Sequence, residues 1–199
     1  MSVETKLLPM TAQTTNSDGN PEPDSSEGDV FIAYDWWSDN NALIEVSIEV
    51  ASWPNCLVED LKVRGPLMLD HIASHEAVRA PIVSLLLCGD SAMQNLNHQH
   101  RGFDKPTNVL SFSAADDWPG GDDGALIGDV AIAAETVQRE AASAGIKPAD
   151  HLLHLFAHGV LHLLGYDHTD QAMAGDMEAL EIELDRKSTR LNSSHQIIS

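Results

Sequence analysis

The run "APIVSLLLCGD", residues 80–90, places the strongest constraint on the fold. It is a continuous apolar segment closed by Gly89 and Asp90, a pattern typical of a strand buried on both faces. Such a strand needs further elements to cover it on either side. The chain has 199 residues, of which 43% are hydrophobic, so it can build one ordinary core. We therefore expect a single folded domain.

The segments around this strand predict a mixture of strands and helices. Strands are indicated by "LIEVSIEV", which alternates apolar and polar residues, and by "TNVLSFS" and "IGDVAIAA". Helices are predicted over about residues 59–74, 90–100 with Asp90 or Ser91 as N-cap, 135–144 ending at Gly145, 148–164 stopping at Gly165, and from about Asp170. Strands and helices do not alternate strictly, so we predict an α+β fold with a small mixed four-stranded sheet packed by helices.

The two ends of the chain differ from this pattern. Residues 1–28 include "TTNSDGNPEPDSSEGD", which has almost nothing to bury and predicts a disordered leader. The folded domain is expected over residues 29–184. Residues 185–199, "DRKSTRLNSSHQIIS", lose the apolar periodicity, and residues 185–195 back-translate to a common short-read sequencing adapter. We predict that this tail is non-native and do not count His195 as a ligand.

Composition narrows the compartment and the partners. The formal net charge of -20 argues against broad, nonspecific binding to nucleic acid, but it leaves room for RNA at one local basic cleft. Cys56 and Cys88 lie far apart in apolar stretches, which suggests neither a disulfide framework nor a cysteine zinc site. No apolar window is long enough to span a membrane and no signal peptide is recognisable, so we expect a cytoplasmic protein without membrane or DNA partners.

A histidine motif is the strongest functional signal. In "HLFAHGVLHLLGYDH", residues 154–168, His158 and His162 lie one helical turn apart on one face, a suitable spacing for one metal ion. Gly165 allows a positive φ, so that Asp167 and His168 can return toward the same face. Three imidazoles with one open position are typical of a catalytic rather than a structural zinc.

Other interpretations of these residues remain. A histidine pair at helical spacing also arises by chance, as in His71 and His75, and His154 is interpreted as a core histidine or as one that supports a ligand. The spacing of the motif matches metzincin proteases, but Gly159 replaces their general-base glutamate, which disfavours a peptidase. Asp167 is the nearest carboxylate, and it either orients a ligand histidine or takes part in catalysis.

The motif "HGVLHLLGYDH", together with "LNHQHRGFDKPTNVLSFS" and "GDVAIA", resembles the YbeY family of bacterial rRNA maturation factors over about residues 43–184. The resemblance implies an α+β fold and a three-histidine centre that holds one zinc ion per chain. It also implies metal-dependent endoribonuclease activity on single-stranded RNA, in the processing of small-subunit rRNA and in ribosome quality control. The implied partners are single-stranded rRNA and the small ribosomal subunit with its proteins.

Residue by residue, the resemblance implies metal ligands at His158, His162 and His168 and a cleft arginine at Arg101. A guanidinium can hold two phosphate oxygens as charge develops on them, which suits a role for Arg101 in catalysis beside Asp167. Lys105 would add affinity for the RNA backbone or remain a solvated lysine, while Asn108 and Ser111 are expected to fix the strand and its turn. The rival hypothesis is a non-catalytic ribosome-assembly factor with a structural zinc.

Overall fold

A computed structural model describes residues 31–114 and 126–166 of the chain. The predicted leader, the predicted helix from Asp170 and the adapter-like tail lie outside these ranges. Within them the strands are β1 (Phe31–Trp37), β2 (Leu43–Glu49), β3 (Ile82–Cys88), β4 (Val109–Ser113) and β5 (Leu126–Ala133). The helices are α1 (Asn55–His75), α2 (Asp90–Arg101), α3 (Ala134–Ala144) and α4 (Pro148–Leu163).

The strands form one mixed sheet in the order β1-β2-β3-β5-β4. Strand β3 pairs in parallel with both β2 and β5, whereas β1 and β4 add antiparallel strands at the two edges. The predicted α+β class is therefore confirmed, and β3 is central. One face of β3 is fully buried, whereas Ile82, Ser84 and Leu86 on the other face are only half-buried. Val83 and Leu87 are completely buried in the main core.

The prediction of four strands is wrong, because the described residues contain a five-stranded sheet. The additional strand is β1, which pairs with β2 over its whole length, from Phe31 opposite Glu49 to Trp37 opposite Leu43. Within the described ranges β1 is an edge strand that pairs with β2 alone, and its outer face carries exposed Phe31 and Trp37. Its sequence, "FIAYDWW", comes after the polar leader, and no clear turn signal marks where the strand begins. Pairing with β2 therefore defines this strand more than its local sequence does.

Helices cover the sheet unequally. The main core lies on the face that packs against α1 and α4, and its largest fully buried side chains include Phe156 of α4 and Leu61 of α1. The opposite face carries a smaller cluster around Met93 of α2, with Leu110 of β4. None of the helices in the described ranges is both long and apolar enough to span a bilayer.

Helices α2 and α3 cap each other where the parallel strands end. Asp90, predicted to cap its own helix, accepts hydrogen bonds from the backbone N–H (3.0 Å) and hydroxyl (2.7 Å) of Thr136 in α3. In return Glu135 of α3 accepts from the backbone N–H of Asp90 at 2.7 Å. Glu49 accepts from the N–H of Gly89, also at 2.7 Å. The N-cap prediction is wrong because β3 and β5 bring the two helix N-termini side by side, where each satisfies the other's free N–H groups.

This arrangement predicts a sharp contrast between the two cysteines. Burial raises the pKa of the Cys88 thiol to about 12, and the nearby carboxylates of Glu49, Glu135 and Asp90 add to the rise. Cys56 is exposed at the start of α1. A thiol-specific reagent should therefore modify Cys56 in the native chain and leave Cys88 unmodified until the protein is unfolded, because the thiolate is the reactive form. Mass spectrometry of proteolytic peptides would reveal this, and rapid native labelling of Cys88 would contradict it.

Candidate metal centre

Gly159 lets α4 lie unusually close to the sheet. A Cβ at this position would lie 2.8 Å from Cγ1 of Val130 and 3.1 Å from Oγ of Ser111. The Ser111 hydroxyl donates a hydrogen bond to the Gly159 carbonyl at 3.0 Å and so joins β4 to the helix. The space that a side chain at position 159 would need, where metzincins have their general-base glutamate, is therefore occupied here by side chains of the sheet. This packing independently disfavours the peptidase interpretation.

His158 and His162 converge as their spacing predicts. Their Nε2 atoms lie 3.0 Å apart, and both rings line the same cleft. The Nδ1 of His162 lies 2.7 Å from the carbonyl oxygen of Tyr166. A neutral imidazole that donates through Nδ1 keeps its lone pair on Nε2, the atom that faces His158.

This geometry fits a zinc ion. Two nitrogens at about 2.0–2.1 Å from one tetrahedral ion are separated by a little over 3 Å. The same separation also allows a hydrogen bond between the two rings, in which one Nε2 carries the proton. A metal ion takes the lone pairs of both nitrogens, so metal binding requires both Nε2 atoms to be deprotonated. A backbone carbonyl that fixes the far side of a ligand histidine is the usual support of such a site.

The turn after α4 provides that support. Gly165 adopts a φ of +93°, as its predicted role requires, and the N–H of Tyr166 then bonds the carbonyl of Leu161 at 3.1 Å. The Tyr166 hydroxyl donates to Oε1 of Glu76 at 2.6 Å, just beyond the end of α1. Glu76 and Tyr166 thus position the carbonyl that orients His162. Sequence reasoning missed both, and the 90 residues between them leave no local signal for Glu76.

Arg101 faces the same cleft. The cleft has a volume of about 670 Å³ and is lined by Arg101, Thr107, Asn108, Val109, Ser111, Ser113, His158, His162, Gly165 and Tyr166. Its size lies within the usual range for ligand sites. Arg101 is the last residue of α2 and is exposed. The structure therefore brings together the predicted arginine and two of the three predicted ligands.

Arg101 is one of the cations that form no ion pair within the described ranges, although the chain is strongly acidic. Within the described ranges Arg101, Lys105 and Lys147 form no ion pair, whereas Lys62, Arg64 and Arg139 are paired with carboxylates. Of the first three cations, Arg101 lines the cleft and Lys105 lies four residues further along the chain. Arg101 therefore brings one positive charge to the cleft, which agrees with the local basic site that the overall charge of -20 left possible.

Asn108 fixes the entry to β4. Its Oδ1 accepts from the N–H of Val109 at 2.8 Å, and its Nδ2 donates to Oε2 of Glu140 at 3.1 Å. The same carboxylate oxygen lies 2.8 Å from Nε2 of His151. Asn108 and Ser111 are both occupied by hydrogen bonds that hold β4 against its neighbours.

The other histidines within the described ranges do not line the cleft. His154 is half-buried and lies beside His158, with ring centroids 6.2 Å apart. His75 of the alternative pair approaches Glu76 through Nδ1 at 2.7 Å. Among residues 31–114 and 126–166, no group of three or more His, Cys, Asp or Glu side chains is arranged to hold a metal. The third predicted ligand, His168, and the predicted catalytic Asp167 lie outside the described residues.

The fold and the cleft together define a single-domain α+β protein with a histidine pair and an arginine facing one open site. The family described as endoribonuclease YbeY matches residues 61–188. An Endoribonuclease YbeY from Allorhizobium ampelinum is 43% identical over 148 residues, which cover 71% of this chain and 87% of the relative. One from Rhodospirillum rubrum is 62% identical over 102 residues, 50% of this chain and 51% of that protein. The chain belongs to the YbeY family, which confirms the resemblance.

A solved structure supports the fold. The solution structure of a Thermotoga maritima protein superimposes with a TM-score of 0.53 at 24% sequence identity. The match covers 76% of this chain and 93% of the other. At this level of identity the likeness concerns the fold alone.

Proposed function

We propose that this protein is a metal-dependent endoribonuclease that cleaves single-stranded RNA. The observation that carries the proposal is the convergence of the His158 and His162 Nε2 atoms, 3.0 Å apart, in the cleft that Arg101 also lines. The relatives are named as endoribonucleases, which supports the same activity here. We further propose small-subunit rRNA as the substrate, in ribosome maturation and quality control in the cytoplasm.

In this proposal His158, His162 and His168 hold one zinc ion. Imidazole nitrogen is a preferred zinc ligand, and three of them leave a position open to substrate. A bound zinc ion supplies Lewis acidity that polarises the scissile phosphodiester. The carbonyl of Tyr166 keeps His162 in the tautomer that presents Nε2, and Glu76 holds Tyr166 in place.

Arg101 binds the reacting phosphate. Hydrolysis of a phosphodiester builds negative charge on the phosphate oxygens, and a guanidinium presents two parallel N–H donors to them. Because Arg101 has no competing carboxylate in the described ranges, its charge is available to the RNA. Asp167 is proposed as the carboxylate of the site, next to His168 in sequence, where it orients the ligand or accepts a proton.

Arg101→Ala tests this proposal in the full-length, zinc-loaded chain. The cleavage rate of a single-stranded rRNA fragment is expected to fall about 100- to 1000-fold, the usual cost of losing one donor to developing charge, while zinc content stays at the wild-type value. Arg101→Lys should recover part of the rate, since it restores charge but not the two-pronged geometry.

Lys147→Ala is the matched control for this experiment. Lys147 is also an exposed cation without an ion pair in the described ranges, but it does not line the cleft, so its loss should leave cleavage within about twofold. If Arg101→Ala cleaves at the wild-type rate, Arg101 is not part of the phosphate site. If the zinc-loaded wild type binds RNA but never cuts it, the assembly-factor hypothesis replaces this one.

A further inference from the structure

Phe103 is an exposed aromatic residue close to the cleft in sequence. Its side chain is 58% exposed in the loop between α2 and β4. It makes no aromatic contact within the described part of the chain, whereas nearby Phe112 packs against His100 with ring centroids 4.7 Å apart. Single exposed apolar residues are common on protein surfaces, so exposure alone decides nothing. The position of Phe103 and the order of its loop carry the argument.

The loop around Phe103 is tied down. Asn97 of α2 is 3% exposed, and its Nδ2 donates to the carbonyl of Lys105 at 2.8 Å. The N–H of Lys105 bonds the carbonyl of Phe103 at 2.9 Å, and Gln94 donates to the Asp104 carboxylate at 2.8 Å. Hydrogen bonds therefore hold the backbone that carries the exposed phenyl ring, so little additional ordering of the loop is needed to use the ring as a binding surface.

The loop also starts and ends in the cleft. Arg101 and Thr107 both line it, whereas Phe103 lies between them in sequence and is not itself one of the lining residues. The two cations that flank Phe103, Arg101 and Lys105, are without ion pairs in the described ranges. Proteins that bind single-stranded nucleic acid combine such cations, which follow the phosphates, with aromatic rings on which bases stack.

We infer that Phe103 is a stacking platform for a base of single-stranded RNA next to the phosphate held by Arg101. The inference rests on the proposed function and adds how the RNA is bound next to the phosphodiester that is cleaved. Stacking tolerates any base, because every base has a π-face. Phe103 therefore favours unpaired over duplex RNA without selecting a sequence, since a base within a duplex is already stacked on its neighbours.

The test measures binding separately from cleavage, in the full-length zinc-loaded chain. The probes are a short fluorescent single-stranded RNA with hydrolysis-resistant phosphorothioate linkages and the same backbone carrying abasic sugars. Phe103→Ala should weaken binding of the base-containing strand about tenfold and leave binding of the abasic strand unchanged. Phe103→Trp should bind both strands at least as tightly as the wild type.

Phe31→Ala is the matched control, since Phe31 is 45% exposed but lies on β1, outside the loop from Arg101 to Thr107 whose two ends line the cleft. It should bind both strands like the wild type. Unchanged RNA binding by Phe103→Ala would overturn the stacking role. Equal weakening for the base-containing and the abasic strand would also overturn it, because that result indicates a distorted loop. If wild type binds and cleaves while Phe103→Ala binds normally, only this inference fails. If wild type neither binds nor cleaves RNA, the proposed function fails with it.

Discussion

Replacing His162 by alanine is expected to remove the bound zinc ion and to reduce RNA cleavage by at least about a hundredfold. Changing a residue that only orients a ligand already costs about 10- to 100-fold, so loss of the ligand itself should cost more. Of the two proposed ligands within the described ranges, His162 is the better one for this test because its Nδ1 lies 2.7 Å from the Tyr166 carbonyl oxygen, which fixes its orientation. Metal analysis after gel filtration and the cleavage rate are measured on the same sample.

His154→Ala is the matched control for this change. His154 lies one turn before His158 on the same helix and is half-buried, but it does not line the cleft. It should retain zinc and most of the activity. Full zinc occupancy in His162→Ala would contradict the assignment of this histidine as a ligand. Zinc loss in His154→Ala with retention in His162→Ala would move the site one turn toward the helix N-terminus.

Tyr166→Phe is expected to weaken zinc binding less than His162→Ala does. It keeps the backbone carbonyl that His162 bonds but removes the hydroxyl that donates to Glu76 at 2.6 Å. Zinc affinity should fall about tenfold, at the lower end for an orienting residue, because the turn is held less firmly. Competition with a metal chelator measures the change, and an unaltered affinity would show that Glu76 does not support the site.

Gly159→Glu would restore the metzincin pattern in sequence, yet it is expected to destabilise the fold and not to create a peptidase. The new Cβ would lie 2.8 Å from Val130 Cγ1, 3.1 Å from Ser111 Oγ and 3.3 Å from Val109 Cγ2. Overpacking costs about 1–3 kcal/mol, and a carboxylate buried against the sheet adds to it, so we expect the free energy of unfolding to fall by roughly 4 kcal/mol or more. Urea denaturation followed by circular dichroism measures this change.

Ala142→Glu is the control for this substitution, since Ala142 is exposed on α3 and tolerates the same side chain in solvent. Its unfolding free energy should change by less than about 0.5 kcal/mol. Gly159→Ala should lie between the two, at about 1–3 kcal/mol, because the methyl group alone meets Val130 and Ser111. A stable, active Gly159→Glu would show that α4 can move away from the sheet.

Local sequence predicted those parts of the fold and site that depend on neighbours along one element. The central strand follows from its apolar run, and the ends of α3 and α4 follow from Gly145 and Gly165, which have φ values of +67° and +93°. The helical spacing of His158 and His162 places their rings on one face of α4, where their Nε2 atoms lie 3.0 Å apart. In each case the controlling interactions span only a few residues.

Pairing and packing between distant segments decided the rest. Strand β1 is defined by β2, and Asp90 caps α3 instead of its own helix because β3 and β5 bring the two helix N-termini together. The support of His162 by Glu76 through Tyr166 joins the ends of α1 and α4. The sequence by itself therefore determined the elements, the histidine pair and the family motifs. Only the tertiary structure decided which side chains hold that pair in place and why Gly159 must remain a glycine, because those contacts join residues that are remote in sequence.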